Sequence, residues 1–115
     1  MATGYEDATT RFKALAHPVR LQILDMLRNG EICVCHMETA LGKRQAYISQ
    51  QLMVLRDAGL VESRKEGLSV FYRLVDDVAL ELLEAALGPA NEDAPEVLTA
   101  CPCPHCAEAV SEVTS

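Results

Sequence analysis

The stretch that most constrains the fold is 31–61, where two helical patterns are separated by a very short turn. Met37 and Leu41 lie four residues apart, on one face of a helix, and Gly42 follows them. Glycine commonly follows a helix C-terminus because it adopts the left-handed conformation without strain. The pattern therefore predicts a short helix over residues 36–41.

A longer helix is predicted to begin near Gln45 and to end after Ala58, with Gly59 closing it. Its apolar positions recur at spacings of four and three, which is typical of a helix with one buried face. These positions are Ile48, Leu52 and Leu55. Because only residues 42–44 separate the two helices, we expect them to form a helix-turn-helix.

The first turns of this longer helix carry side chains that suit the major groove of DNA. Arg and Gln reach base edges there, and Ser and Tyr reach base edges or phosphates. The candidate DNA contacts are Lys43, Arg44, Gln45, Tyr47, Ser49 and Gln50. Helix-loop-helix hairpins are also common in all-α proteins, so the flanking sequence has to decide between the two interpretations.

Residues 60–74 favour the DNA-binding interpretation. They form two extended runs around a turn at Gly67, which predicts a β-hairpin. Arg64 and Lys65 make this hairpin basic near its tip, and we expect both to hold DNA phosphates. A helix-turn-helix followed by such a hairpin is a winged helix, so the predicted fold class is mainly α with a two-stranded β-wing.

Three more helices are predicted, over residues 6–16, 18–28 and 76–87. Pro18 suits the first turn of its helix, His17 is a helix-boundary residue, and Asp76 can cap the last helix. In the second of these helices the residues predicted to face inward are Val19, Ile23, Met26 and Leu27. The first and last helices carry apolar stripes, formed by Ala8, Phe12 and Leu15 and by Val78 or Ala79, Leu82, Leu83, Ala86 and Leu87. The apolar stripe of the last helix is wide for so small a domain to bury by itself.

We therefore expect a homodimer, in which the last helix pairs with the first helix and with the same elements of a second subunit. Two recognition helices would then reach successive major grooves about 34 Å apart. Residues 1–87 are predicted to form the winged-helix domain for DNA binding and dimerisation. Residues 88–115 are predicted to form an acidic, Cys-rich C-terminal tail.

The net charge of −7 is unevenly distributed along the chain. Residues 1–75 contain all ten Lys and Arg against eight Asp and Glu, whereas residues 76–115 contain nine acids and no Lys or Arg. At physiological salt the screening length is about 8 Å, so the sign of the field is a local property. The acidic excess argues against loose coating of DNA but not against a specific basic face.

The sequence shows no signal peptide and no apolar run near the roughly 20 residues of a membrane span, so we expect a cytoplasmic protein. In that reducing compartment, five cysteines are better interpreted as thiols or metal ligands than as a disulfide framework.

Together these patterns resemble the ArsR/SmtB family of metal- and stress-responsive winged-helix repressors, over about residues 11–87. The resemblance rests on residues 14–24 (ALAHPVRLQIL), 31–35 (EICVC), 48–52 (ISQQL), 54–61 (VLRDAGLV) and 71–74 (FYRL). It implies a homodimer that represses a resistance or efflux gene when metal-free and leaves its operator when an inducer binds.

The sequence departs from the family pattern in two respects. Glu38 stands where the arsenic-type box commonly has a third cysteine, and residues 76–87 contain no histidine for the zinc-type site on the last helix.

Cys33 and Cys35 place two soft ligands at the entrance of the helix-turn-helix. A one-residue gap puts both sulfurs on one side only in extended backbone, because side chains two apart in a helix point about 200° apart. We therefore expect chelation to compete with helix formation here. Alternatively, one of the two cysteines is simply a small core residue.

A denser cluster, Cys101, Cys103, His105 and Cys106, follows in the tail. Thiolates select Zn(II), Cd(II), Pb(II), Cu(I) or trivalent arsenic and antimony over Mg(II) or Ca(II). The simplest use of the tail is to supply the missing third ligand to Cys33 and Cys35, from the same or the opposite subunit. In a rival arrangement the tail forms its own site from its three thiolates, with or without His105.

The leading functional hypothesis is a repressor released by a thiophilic inducer, As(III) or Sb(III) first and Cd, Pb or Zn second. The alternatives are a thiol redox or persulfide sensor of the same fold and, from another class, a thiol metal-storage module. An enzyme is not expected, because no nucleophile, base and orienting acid form a plausible set and the three histidines are scattered.

Overall fold

The structure is a computed structural model and describes residues 3–90. Within that range five helices surround a small antiparallel sheet, in the order α1 Thr3–Leu15, α2 Pro18–Leu27, β1 Ile32–Cys33, α3 Val34–Leu41, α4 Gln45–Asp57, β2 Val61–Glu66, β3 Ser69–Leu74 and α5 Asp77–Leu87. The winged-helix prediction is confirmed. No helix in this range is long and apolar enough to cross a membrane.

Local signals set the helix ends as the sequence predicts. His17 caps α2, because its Nδ1 accepts a hydrogen bond from the backbone N–H of Val19 at 3.2 Å, and Pro18 begins the helix. Asp76 caps α5 by accepting from the N–H of Ala79 at 2.8 Å. Gly42 ends α3 with a φ of 63°, a conformation that favours glycine.

The sheet has three strands rather than the predicted two, in the order β1-β3-β2. The additional strand, β1, places Cys33 opposite Phe71, which in turn lies opposite Arg64 of β2. Two residues are too few to show strand periodicity, so β1 exists only because β3 offers it a partner. Residues from the entrance of the helix-turn-helix and from the wing thus share one sheet.

The core is formed by residues from every helix and from the strands. Its largest fully buried side chains are Ile23, Leu24, Met37, Ile48, Leu52, Leu55, Leu60, Val61 and Leu83. Phe12, in the predicted apolar stripe of the first helix, is 58% exposed in the single subunit, because α1 enters the core only at its C-terminal end, through Ala14 and Leu15.

α5 buries Ala79 and Leu83 but leaves three large apolar side chains exposed. These are Val78, Leu80 and Leu87. Arg11 of α1 donates two hydrogen bonds to the carboxylate of Asp76, at 2.8 and 3.2 Å, and so joins the two outer helices. This hydrogen-bonded guanidinium lowers the pKa of Asp76.

Candidate nucleic-acid interface and thiol site

The N-terminal turns of α4 form an open surface that carries the predicted DNA contacts. Lys43, Arg44, Gln45 and Gln50 are exposed, whereas Tyr47 and Ser49 are half-buried. The Nζ of Lys43 lies 5.9 Å from the centroid of the Tyr47 ring, within the range of a cation–π contact. The helix thus presents these residue types on one accessible end, with Ile48 fully buried behind them.

Arg20 of α2 holds α4 in place, and the sequence analysis missed it. Its Nη1 donates to Oε1 of the buried Gln51 at 3.3 Å, and its Nε donates to the carbonyl oxygen of Ala14 at 2.8 Å. The same guanidinium therefore connects the end of α1 to the recognition helix. Gln51 lies 31 residues from Arg20, so no local pattern could have indicated the contact.

Arg64 of the wing contacts two carboxylates and an aromatic ring. Its Nε donates to the carboxylate of Glu31 at 3.0 Å, its Nη1 donates to Glu66 at 2.9 Å, and the guanidinium lies 4.7 Å from the centroid of the Phe71 ring. The hydrogen bonds from Arg64 lower the pKa of Glu31. Arg64 and Lys65 were both predicted to hold phosphates; both are exposed, and the donors of Arg64 are directed at carboxylates.

Cys33 and Cys35 lie at the junction between β1 and α3, with their Sγ atoms 2.8 Å apart. Cys33 has extended backbone (φ −80°, ψ 155°) and is the N-cap of α3, where its Sγ accepts from the N–H of His36 at 3.3 Å. Cys35 is already helical. The expectation that chelation competes with helix formation is therefore wrong, because the strand-to-helix turn brings both sulfurs together with α3 intact.

The pair suits a thiophilic ion with little rearrangement. Two sulfurs that each bind one tetrahedral ion at about 2.3 Å are about 3.8 Å apart, so the pair would open by about 1 Å. Within residues 3–90, no three His, Cys, Asp or Glu side chains are grouped to hold an ion. Any third ligand must come from elsewhere, and the candidates Cys101, Cys103, His105 and Cys106 lie outside the described residues.

A cleft of about 560 Å³ separates α3, the start of α4 and the wing. Cys35 and Glu38 line it from α3, Gln45 and Ser49 from α4, and Tyr72 from β3. Cys35 is half-buried at this cleft, whereas Cys33 is only 2% exposed. The thiol site and the predicted base-reading residues therefore share one cleft.

Comparison with known proteins agrees with the winged-helix fold. Residues 17–63 match the family described as bacterial regulatory protein, arsR family. The chain is 49% identical over 73 residues to a biofilm growth-associated repressor of Agrobacterium fabrum, a match that covers 64% of this chain and 62% of that protein. It is 46% identical over 81 residues to an uncharacterised helix-turn-helix transcriptional regulator of Methanocaldococcus jannaschii, covering 70% of this chain and 91% of that one.

Solved structures resemble the fold at 31–37% sequence identity. HlyU from Vibrio cholerae has a TM-score of 0.71 and 37% identity, covering 75% of this chain and 94% of its own. A homodimeric winged helix-turn-helix domain from Mycobacterium bovis has a TM-score of 0.69 and 36% identity, covering 75% of this chain and 80% of its own. The antimony-specific transcriptional repressor AntR has a TM-score of 0.68 and 31% identity, covering 76% of this chain and 79% of its own.

The fold is that of a winged-helix regulator. The chain belongs to the arsR family of bacterial regulatory proteins, and the relatives named above are repressors or transcriptional regulators, not enzymes.

Proposed function

We propose that the protein is a transcriptional repressor that binds operator DNA through α4 and the wing and leaves it when Cys33 and Cys35 bind a thiophilic inducer. The observation that carries the proposal is the shared cleft, since Cys35 lies against the same space as Gln45 and Ser49. The relatives support it by name, as a biofilm growth-associated repressor and an antimony-specific repressor. A metal-storage module would need no exposed reading helix.

The side chains at the DNA surface divide into two roles. Gln45, Ser49 and Gln50 read base edges, which discriminates between sequences by about 1–3 kcal/mol for a good contact. Lys43, Arg44 and Lys65 hold phosphates, with Tyr47 beside them, and so set affinity and its dependence on salt. These residues are exposed or half-buried around the start of α4 and the wing.

The functional unit is a homodimer, and the exposed apolar residues of the outer helices support this. Val78, Leu80 and Leu87 on α5 and Phe12 on α1 are 39–58% exposed, although α5 and α1 are already connected through Arg11 and Asp76. A second subunit would cover this surface. Dimerisation would also place two recognition helices on two half-sites.

The inducer is proposed to be As(III) or Sb(III), with Cd, Pb or Zn as the next candidates, because two adjacent thiols select soft ions. In the arsenite case each thiol replaces one hydroxyl of As(OH)₃, so that an As–S bond forms and one water leaves. Three thiols therefore replace all three hydroxyls and complete the coordination of the arsenic. Cys33 and Cys35 supply two, and Cys101, Cys103 or Cys106 of either subunit supplies the third.

A second candidate is a redox or persulfide sensor, which the 2.8 Å separation of the two sulfurs favours. An oxidant such as a persulfide or peroxide would remove two electrons and two protons from the thiols to form a disulfide. Thiol counting before and after treatment separates the two candidates, because metal binding is reversed by a chelator whereas a disulfide is reversed only by a reductant.

The test is a titration of reduced protein on an operator selected from random duplexes. Arsenite, antimonite, Cd(II), Pb(II), Zn(II) and a persulfide donor are added separately, with operator and random DNA measured in parallel. We expect tight operator binding without inducer and release by at least one soft ion. Protein that fails to select any sequence, or that stays bound through the whole panel, would contradict the proposal.

A further inference from the structure

We infer that the acidic tail, residues 88–115, docks into the cleft between α3, α4 and the wing when an ion joins its thiols to Cys35, and that this docked tail displaces DNA. The inference rests on the proposed function and specifies how that site is regulated. It assigns the cleft as an interaction surface and a segment of the same chain as its partner.

Movement at the junction between β1 and α3, where Cys33 and Cys35 lie, would contribute little to the release of DNA. Cys33 and Cys35 already lie side by side with α3 formed, so an ion would open the pair by only about 1 Å. A ligand shifts a conformational equilibrium only as far as its affinity differs between the two states. Because the pair can bind an ion with so little change in α3, the junction alone gives the ion little leverage on DNA, and release would need a larger change elsewhere.

The cleft brings the thiol site next to the predicted base-reading side chains. Cys35 and Glu38 line it together with Gln45 and Ser49, around a volume of about 560 Å³. This volume lies in the range of protein pockets that hold ligands, about 300–1,000 Å³. A chain segment bonded through an ion to Cys35 would therefore lie against the two base-reading side chains and compete with DNA for them.

The tail is opposite in charge to the basic residues of the proposed DNA surface. Lys43 and Arg44 are exposed next to Gln45 in the chain, and Lys65 is exposed on the wing. None of the three lines the cleft itself, whose one charged lining residue among residues 3–90 is Glu38. Residues 88–115 carry five Asp and Glu and no Lys or Arg, so the tail offers this surface the same sign of charge as DNA phosphates. Exposed ion pairs contribute only about 0–1 kcal/mol each, which leaves the tail undocked without the ion. Bonds through the ion would hold the tail next to the cleft and so raise its effective concentration there.

Chain length permits the tail to reach its own subunit's cleft. The carbonyl oxygen of Gly88 accepts from Nη1 of Arg28 at 2.8 Å, so the tail starts beside the end of α2. Arg28 lies five residues before Cys33, a span of at most about 18 Å, and Cys101 lies thirteen residues after Gly88, a span of up to about 45 Å. The tail thiols can therefore meet Cys35 without help from the second subunit.

The test removes the charge of the tail and keeps its thiols. The tail-neutral variant carries Glu92→Gln, Asp93→Asn, Glu96→Gln, Glu108→Gln and Glu112→Gln. A matched control has the same net charge but loses five exposed acids of the described fold, as Glu6→Gln, Asp7→Asn, Asp57→Asn, Glu81→Gln and Glu84→Gln. Cd(II) and arsenite, each alone, are the probes, and metal binding is followed through sulfur-to-metal absorption.

We expect wild type and the matched control to lose operator affinity by about 5–150-fold on adding the effective ion, the usual size of such couplings. The tail-neutral variant should bind the same ion with the same stoichiometry but lose less than about threefold. In NMR spectra, the amide signals of Gln45, Ser49 and Leu68 should move with the ion in wild type. They should move less in a variant with Cys101→Ser, Cys103→Ser and Cys106→Ser.

Two failures can be told apart. If wild type releases DNA and the tail-neutral variant releases it equally well, the docking inference is overturned and the proposed function stands. If wild type binds both ions and keeps its operator, the proposed function fails and the inference fails with it. Unchanged amide signals at Gln45 and Ser49 in ion-bound wild type would also overturn docking.

Discussion

Arg64 of the wing binds Glu31, the residue just before β1, through hydrogen bonds from its guanidinium to the carboxylate. The contact crosses the sheet in front of Phe71, whose backbone lies opposite both Cys33 and Arg64. One row of residues therefore connects the buried thiol to the wing. Arg64 is placed to position the wing relative to the thiol site, and Lys65 is the neighbouring exposed cation of that strand.

The first prediction tests whether Arg64 positions the wing or holds a phosphate. Arg64→Gln and Glu31→Gln should weaken operator binding to a similar extent, because each breaks the same contact, and the double variant should be no worse than either. Neither should change the salt dependence of binding, whereas Lys65→Gln should reduce the slope of log K against log salt by about 0.9. Tighter binding by Glu31→Gln would instead identify Arg64 as a phosphate contact released from its carboxylate partner.

The second prediction concerns base reading by Gln50, which is exposed on the second turn of α4. Gln50→Ala should reduce the preference for operator over random DNA by about 1–3 kcal/mol and leave binding to random DNA nearly unchanged. Fluorescence anisotropy on both duplexes measures this, with Gln22→Ala on the exposed side of α2 as the control. An equal loss on both duplexes would assign Gln50 to the DNA backbone.

The third prediction concerns the dimer. Leu83 was expected at the interface, but it is 1% exposed inside its own subunit, so Leu80 is the better probe at 39% exposure. Leu80→Glu should produce monomers in sedimentation and weaken operator binding by about 10²-fold or more, since two linked sites typically gain 10²–10⁴. Gln22→Glu adds the same charge elsewhere and should remain dimeric. A dimeric Leu80→Glu protein would exclude this face.

The fourth prediction concerns the ion pair of Arg11 and Asp76. Asp76→Ala should lower the free energy of unfolding by about 1–2 kcal/mol through loss of the helix cap alone, and Asp76→Asn should retain much of the cap while losing the ion pair. The carboxylate has a lowered pKa in the folded protein, so its contribution is present at neutral pH and is lost as pH falls through that lowered value. Urea unfolding at pH 7 and at pH 3 should show the wild-type advantage shrinking in acid.

The fifth prediction separates repression from induction. Cys35→Ser should bind operator as wild type does and fail to release it, because the half-buried Cys35 supplies a ligand to the ion. Cys33→Ser should behave alike, since serine is itself a good N-cap for α3. Operator affinity with and without arsenite or Cd(II) measures both, and removal of all three tail cysteines should weaken induction or change the effective ion. A Cys35→Ser protein released at the wild-type inducer concentration would rule out the thiol mechanism.

The sequence by itself determined the elements whose signals are local. These signals depend on only a few neighbouring residues, because the backbone N–H and C=O groups at a helix end find their hydrogen-bond partners within about one turn. They are the apolar spacing in α4, Gly42 after α3, Pro18 at the start of α2 and Asp76 before α5. The exposed basic and amide side chains at the start of α4 followed from the same helix. The family resemblance could therefore be recognised from the chain alone.

Tertiary structure decided the contacts between distant residues. The strand β1 exists because β3 pairs with it, and that pairing ends at Cys33, where the change from strand to helix brings its sulfur to Cys35. Arg64 lies 33 residues from Glu31. The sequence therefore indicated only a basic surface residue, and its hydrogen bonds to the Glu31 carboxylate were visible only in the fold. Such contacts depend on how the helices and strands pack against one another in three dimensions. The periodicity of residues along the chain contains no information about that packing.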